Sequence, residues 1–246
     1  MTMPRHRDTR PLHQQVAAAL RALIMSGDLA PGDQLPSTSQ LVAQHGVANP
    51  TIQKAASALK DEGFLRSRPG AGVYVRDREP FVVGAANYLG PMPRGYSYQI
   101  LDVAEAIPTA DAAQVLGLGE GEAAVMRHRL LLHDGEPVEL SWSYYPTDLA
   151  AGTPLARRLR IRGGAPRVLA ELGWPQDRFT DRISARQPTT AELEALNLPA
   201  DVPVIRQLRT IFSGERPVEA SVLVKGAHLY ELSYEQAIPD APRRDP

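Results

Sequence analysis

The chain has 246 residues, more than one typical domain of about 100–200 residues and fewer than three, so two domains are expected. Apolar residues at 43% and charged residues at 22% are globular proportions, which exclude a wholly disordered or fibrous chain. Without cysteine there are no disulfides, thiolate nucleophiles or cysteine zinc sites, and no window reaches the roughly 18 consecutive apolar residues that span a bilayer; a soluble, cytoplasmic protein without a membrane partner is expected.

The net charge of −1 is unevenly distributed. Residues 1–78 hold ten Lys/Arg against six Asp/Glu, and residues 79–246 hold 17 against 22, so only the first third has the sign expected of a polyanion binder. Pro11 opens a stretch in which Leu12, Val16, Leu20, Leu23 and Ile24 recur at helical spacing, ending at Ser26-Gly27. Beyond a turn at Leu29–Asp33, Pro36-Ser37 offers an N-cap for a short helix carrying Leu41 and Val42, which Gly46 ends. Asn49-Pro50 starts a third helix, with Asn as cap and Pro at the first helical position, where its missing N–H costs nothing. Ile52, Ala55, Ala56 and Leu59 form its core face, and Gly63 terminates it. Phe64-Leu65-Arg66 and Val73-Tyr74-Val75 then read as strands joined by a glycine-rich turn, so residues 1–76 are expected to be a helix, a helix–turn–helix and a β-hairpin wing.

Residues 77–98 are rich in Pro and Gly, lack periodicity and are expected to be an interdomain linker. Behind them the chain repeats itself at a spacing of 80 residues, pairing Pro108 with Pro188, Leu116 with Leu196, Arg129 with Arg209, Glu139 with Glu219 and Ser141 with Ser221. Each copy reads as a short helix, a strand, a glycine-containing turn and a second strand. The expected fold is α+β, with an antiparallel sheet domain of pseudo-twofold symmetry over residues 99–239 and a disordered tail over 240–246. Chance similarity in an Ala- and Leu-rich chain is the alternative.

The second helix of a helix–turn–helix can enter a major groove about 12 Å wide, where base edges identify sequence. Asn49, Pro50, Thr51, Gln53 and Lys54 avoid the apolar stripe of that helix, Gln53 suiting adenine and Lys54 guanine or phosphate. Ser37 and Ser39 suit phosphate contacts. Arg66 and Arg68 flank a wing tip containing Gly70 that is positioned for the minor groove. A small helical domain with a solvated polar face is the bland alternative. The run Leu35-Pro36-Ser37, Gly46-Val47, Thr51-Ile52, Glu62-Gly63-Phe64-Leu65 and Gly72-Val73-Tyr74-Val75 resembles the winged helix–turn–helix of GntR-family repressors. That family usually places arginines where this chain has Ser39, Asn49 and Gln53, so its usual guanine contacts are not carried over.

Residues 100–235 also resemble the effector-binding (UTRA) domain of the HutC subfamily, related in fold to chorismate lyase, through Arg127-His128-Arg129, Gly135-Glu136-Pro137-Val138, Ser143-Tyr144-Tyr145-Pro146 and Arg216-Pro217-Val218-Glu219. The resemblance implies a cleft for a small anionic or polar metabolite, held by the arginines and oriented by the glutamates. Strand alternation agrees: Arg127 and Arg129 share a face, as do Glu139, Ser141 and Ser143. A three-residue loop, Asp134-Gly135-Glu136, sets Arg129 opposite Ser141 and Arg127 opposite Ser143. A two-residue loop sets them against Leu140 and Trp142, and polar segregation favours the former. Arg209 and Glu219 are the corresponding groups of the second copy. The alternative for Arg127 and Arg129 is a solvated face with salt bridges to Glu139.

The six histidines show no metal-ligand spacing, and neither metal nor cofactor is expected. The reading is a homodimeric, ligand-responsive repressor of an inverted-repeat operator, released by a sugar phosphate or small organic acid and not an enzyme. A lyase or hydrolase that regulates its own gene is the rival, since paired glutamates also suit acid–base work.

Overall fold

The computed structural model describes residues 8–76, 81–84, 94–199, 202–228 and 230–235, with Phe81–Gly84 described by backbone alone. The chain divides into two compact units, Met1–Pro80 and Phe81–Pro246.

In the first unit, α1 (Leu12–Ser26), α2 (Thr38–His45) and α3 (Asn49–Asp61) precede a hairpin of β1 (Leu65–Arg68) and β2 (Gly72–Val75). Its core joins Val16, Ala17 and Leu20 of α1 to Leu41, Ile52, Ala55, Leu59, Phe64 and Val75, whereas Leu12, expected in the stripe, stands exposed in the first turn. Ser37 caps α2 through a capping box, its hydroxyl accepting from the Gln40 N–H while the Gln40 side chain accepts from the Ser37 N–H. The start of α3 corrects the expectation: Ala48 is the N-cap, Asn49 is already helical and Pro50 follows it. Proline fits anywhere in the first turn, because those N–H groups have no intrahelical acceptor, so sequence leaves the boundary open by one residue.

Arg21 of α1 forks onto the buried Glu62 carboxylate at 2.7 and 2.6 Å, tying α1 to the end of α3. Since hydrogen bonds to charged groups contribute about 1.5–3 kcal/mol, Glu62→Ala is expected to lower the stability of this unit by about that amount, read by chemical denaturation.

The second unit is a six-stranded antiparallel sheet in the order β4 (Tyr96–Ala106), β5 (Ala124–His133), β6 (Glu136–Pro146), β9 (Arg216–Gly226), β8 (Val204–Ser213), β7 (Arg178–Arg186). The 80-residue repeat is structural, because β8 and β9 begin and end 80 residues after β5 and β6, and the central pairing crosses at Trp142 and Val222, themselves 80 apart. One face is apolar and packs against α4 (Ala110–Leu116) and α7 (Thr190–Ala195), with Leu140, Tyr144, Leu208 and Val222 between them. Toward the other face lie α5 (Thr147–Ala150), a 3-10 turn (Pro154–Ala156) and α6 (Gly164–Glu171), which close a second core around Val125, Tyr145, Leu155, Leu169 and Val218.

The expected register holds by a different route. Arg129 faces Ser141 and Arg127 faces Ser143, but the turn has two residues, Asp134 and Gly135, both with positive φ as in a type I′ turn. A β-bulge at Val138 absorbs the odd residue, and Val218 repeats it in the second hairpin.

The expected linker is also corrected. Residues 77–80 and 85–93 lie outside the described residues, as does the tail 240–246, but Phe81–Gly84 forms β3, paired in parallel with β10 (Tyr230–Ser233), and β4 starts at Tyr96 rather than after residue 98. The apolar run Phe81-Val82-Val83 is a strand because a partner about 150 residues away completes it, which local periodicity does not reveal.

Candidate functional site

Two surfaces carry chemistry, one in each unit. On the first, Asn49, Pro50, Gln53 and Lys54 are exposed along the outer side of α3, and Thr51 is half-buried. Ser37 and Ser39 stand at the start of α2 with their hydroxyl oxygens 3.0 Å apart, so the Ser37 hydroxyl is engaged within the helix cap. The wing presents Arg68, whose guanidinium lies 4.4 Å from the centre of the Tyr74 ring, and Gly70, at positive φ with open space around it. Arg66 is half-buried, so of the two wing arginines Arg68 is the exposed one.

The second surface is the polar face of the large sheet. Arg127, Arg129, Glu139, Ser141, Ser143, Arg209 and Glu219 all lie on it by register, and all but Arg129 are buried. They separate into two halves related by the repeat. In one half a chain of hydrogen bonds runs from Arg129 Nη2 to Ser143 Oγ (2.6 Å), to Ser221 Oγ (2.6 Å) and on to Glu219 Oε1 (2.7 Å). Glu219 Oε2 accepts from Gln176 at 3.3 Å. A cation thus stands at one end of a line of hydroxyls and a carboxylate at the other. Among the described residues the buried Arg129 Nε–H has no hydrogen-bond partner, and the Tyr145 hydroxyl lies near Ser143 outside hydrogen-bonding geometry. Burial, reinforced by Glu219, pushes the Tyr145 phenol far up, which keeps it a proton donor.

The other half pairs its charged groups with one another. Lys225, fully buried, stands 2.7 Å from Glu139 and donates to Gln207 Oε1 at 3.0 Å, so Glu139 pairs with a lysine rather than with the arginines of β5. Arg209 forks onto Asp181 at 2.8 and 2.8 Å, and Tyr234 donates to the same carboxylate. By the repeat, Lys225 occupies the place of Tyr145 and Gln207 that of Arg127. Burial alone would raise the Asp181 carboxyl, but the Arg209 hydrogen bonds, with help from Gln207, Arg209's charge and Tyr234, outweigh it and hold the group below its ordinary value. The folded state therefore binds fewer protons there than the unfolded chain. This stabilisation is complete above the unfolded value near 3.9 and is lost as pH falls through the folded one. Thermal midpoints should fall more steeply below about pH 4 in the wild type than in Asp181→Asn.

Sequence reasoning thus named Arg129, Ser143 and Glu219, which one line of hydrogen bonds joins, and Glu139 and Arg209, which belong to the other half; Ser141 is buried opposite Arg129 in register. Arg127 is turned away, its Nη1 donating to the carbonyls of Leu155 and Arg157 and its Nη2 to that of Leu159, each at 2.8 Å. Sequence reasoning gave no site role to Ser221 and Tyr145, though it named both, and did not single out Lys225, Asp181 or Gln176. Alternation along β9 carried the signal for Ser221 and Lys225, since Glu219, Ser221 and Lys225 share a face and Lys225 is one of only three lysines. Among the described residues no group of three His, Asp or Glu could hold a metal ion, and no helix is long and apolar enough to cross a membrane.

A winged helix–turn–helix followed by a sheet with an internal polar face defines a DNA-binding regulator with a ligand-sensing domain. Residues 12–75 match the family of bacterial regulatory proteins named gntR and residues 92–230 match the UTRA domain, and the chain belongs to the GntR family, in its HutC-like, UTRA-bearing branch, as a ligand-responsive transcriptional regulator. It is 28% identical to the HTH-type transcriptional regulator SCO4628 of Streptomyces coelicolor over 94% of both chains. It is 27% identical to the HTH-type transcriptional repressor NagR of Bacillus subtilis over 57% of this chain and 60% of that one. The crystal structure of PhnF from Mycobacterium smegmatis shares the fold, with a TM-score of 0.57 at 19% identity over 90% of this chain and 99% of that one.

Proposed function

We propose that the protein is a cytoplasmic, homodimeric repressor, not an enzyme, that leaves an inverted-repeat operator when a small anionic metabolite bearing hydroxyl or amine groups binds at the half of the polar face that holds Arg129. The observation that carries this reading is the line Arg129, Ser143, Ser221, Glu219: a cation and a carboxylate separated by hydroxyls suit a ligand anionic at one end and hydrogen-bond-donating at the other. The relative NagR, named a repressor, supports the direction of control. Operator contacts are assigned to Ser37, Ser39, Asn49, Pro50, Thr51, Gln53, Lys54, Arg66, Arg68 and Gly70. Twofold symmetry of a dimer maps onto a palindrome, and one winged helix reads too few bases for useful specificity.

Gln53→Ala tests the DNA side. A bidentate contact to adenine contributes about 1–3 kcal/mol of discrimination, so specific binding should weaken about fivefold to over a hundredfold while binding to scrambled DNA changes little. Fluorescence anisotropy on the promoter of the protein's own gene reads both. Equal losses on both DNAs would move Gln53 from base to backbone contact.

A further inference from the structure

The wing is held by the rest of its own unit. Residues 32–35, between α1 and α2, run antiparallel along β2: the Leu35 N–H donates to the Val73 carbonyl at 2.8 Å and the Val75 N–H to the Asp33 carbonyl at 2.8 Å, with Gln34 bridged to Tyr74. At the tip one acceptor gathers two side chains. The Ala71 carbonyl accepts from Gln34 Nε2 at 2.8 Å and from the Tyr74 hydroxyl at 3.1 Å. Gly72, at φ +114°, leaves room for this arrangement, because a Cβ there would stand 2.8 Å from Gln34 Nε2. Tyr74 also engages Arg68, its diagonal neighbour across the hairpin, whose guanidinium carbon lies 4.4 Å from the ring centre. One tyrosine thus anchors the tip through its hydroxyl and the arginine through its face. Among the described residues Arg68 has no carboxylate partner, whereas Arg10 and Arg21 of the same unit are paired with Asp8 and Glu62.

We propose that Tyr74 and Gln34 are positioning residues that fix the wing tip in advance and hold Arg68 for the minor groove, so that operator preference comes in part from A·T pairs beneath the wing. This rests on the DNA-binding reading above and deepens it at one contact. A long side chain loses rotamer freedom when a contact forms, and a guanidinium already resting on a ring has less to lose. The minor groove of A·T pairs displays acceptors without the guanine amino group, and in A-tracts it is narrow and strongly negative, which draws arginine in. Between Arg21 and Arg66 the chain has no arginine, so neither α2 nor α3 supplies a guanidinium to the DNA. Of the two wing arginines, Arg68 is the exposed one.

The probe is a duplex that the full chain itself enriches from a random-sequence pool, prepared with adenine throughout or with 2,6-diaminopurine in its place. Diaminopurine adds an amino group to the minor groove and keeps the major-groove edge of adenine, so a contact from Gln53 is untouched. The wild type should bind the diaminopurine form about tenfold more weakly, within the range for one disturbed base pair. Arg68→Ala should bind the adenine form about tenfold more weakly than the wild type does and should not distinguish the two forms. Tyr74→Leu removes ring and hydroxyl and should reproduce Arg68→Ala, and combining the two should lose no more, because both remove one contact. Tyr74→Phe and Gln34→Ala free the tip but keep a ring under Arg68; they should fall between wild type and Arg68→Ala and still distinguish the two forms. Wild-type affinity in both, or additive losses at positions 68 and 74, would overturn the positioning role. A wild type indifferent to diaminopurine, or an Arg68→Ala variant as sensitive to it as the wild type, would overturn the minor-groove contact and leave DNA binding standing. A pool that yields no bound duplex would overturn both.

Discussion

Glu139→Ala is expected to destabilise the effector domain by about 3–5 kcal/mol, the cost of leaving one member of a buried ion pair without the other. The partner is Lys225, whose ammonium is 0% exposed, 2.7 Å from the Glu139 carboxylate and 4.5 Å from the centre of the Tyr230 ring. Burial already pulls the Lys225 pKa down, with Glu139 opposing that pull, so removal of the carboxylate forces the lysine either to stay charged without its counter-ion or to release its proton. The double substitution Glu139→Met with Lys225→Met removes both charges and keeps the volume, and should recover most of the loss. Urea denaturation of the three variants reads these values. A loss below about 1 kcal/mol for Glu139→Ala would mean that water reaches the pair, since exposed pairs contribute no more than that.

Arg129→Ala should have the second largest effect, on ligand rather than stability. Removing one partner of a desolvated charged contact costs about 2–5 kcal/mol, so the dissociation constant of the effector should rise at least about thirtyfold. Operator binding without effector should be unchanged, because Arg129 belongs to the other folding unit. A thermal-shift screen of metabolites on wild type and variant makes the comparison, and equal stabilisation of both by the same compound would place the ligand elsewhere.

What sequence revealed and what it concealed divide along a physical line. The winged unit was legible because its boundaries are set by local chemistry: the Ser37–Gln40 capping box and the left-handed glycines at positions 27, 46 and 63 lie within a few residues of what they terminate. The pairing of Arg129 with Ser141 was legible from polar segregation, although the bulge at Val138 that produces it was not, because register is enforced over the whole strand and a bulge is one local way to reach it. Distant partners escaped. The carbonyls that occupy Arg127 lie 28 to 32 residues beyond it, Asp181 reaches Arg209 from the far edge strand, and β3 is a strand only against β10. The repeat predicted equivalent halves. Its exceptions, Lys225 for Tyr145 and Gln207 for Arg127, give the two halves different partners: Glu139 has a lysine beside it, whereas Glu219 is reached through hydroxyls and an amide.

An effector can move a regulator only through different affinities for its DNA-bound and free arrangements. The most direct test is therefore a titration of the full chain on labelled promoter DNA of its own gene, with and without the metabolite that best stabilises it. Tight binding that weakens steeply with salt, is lost on scrambling the repeat and is released by the metabolite, with the metabolite recovered unchanged, is the predicted result. Equal affinity for scrambled DNA, or conversion of the metabolite to another compound, would contradict it.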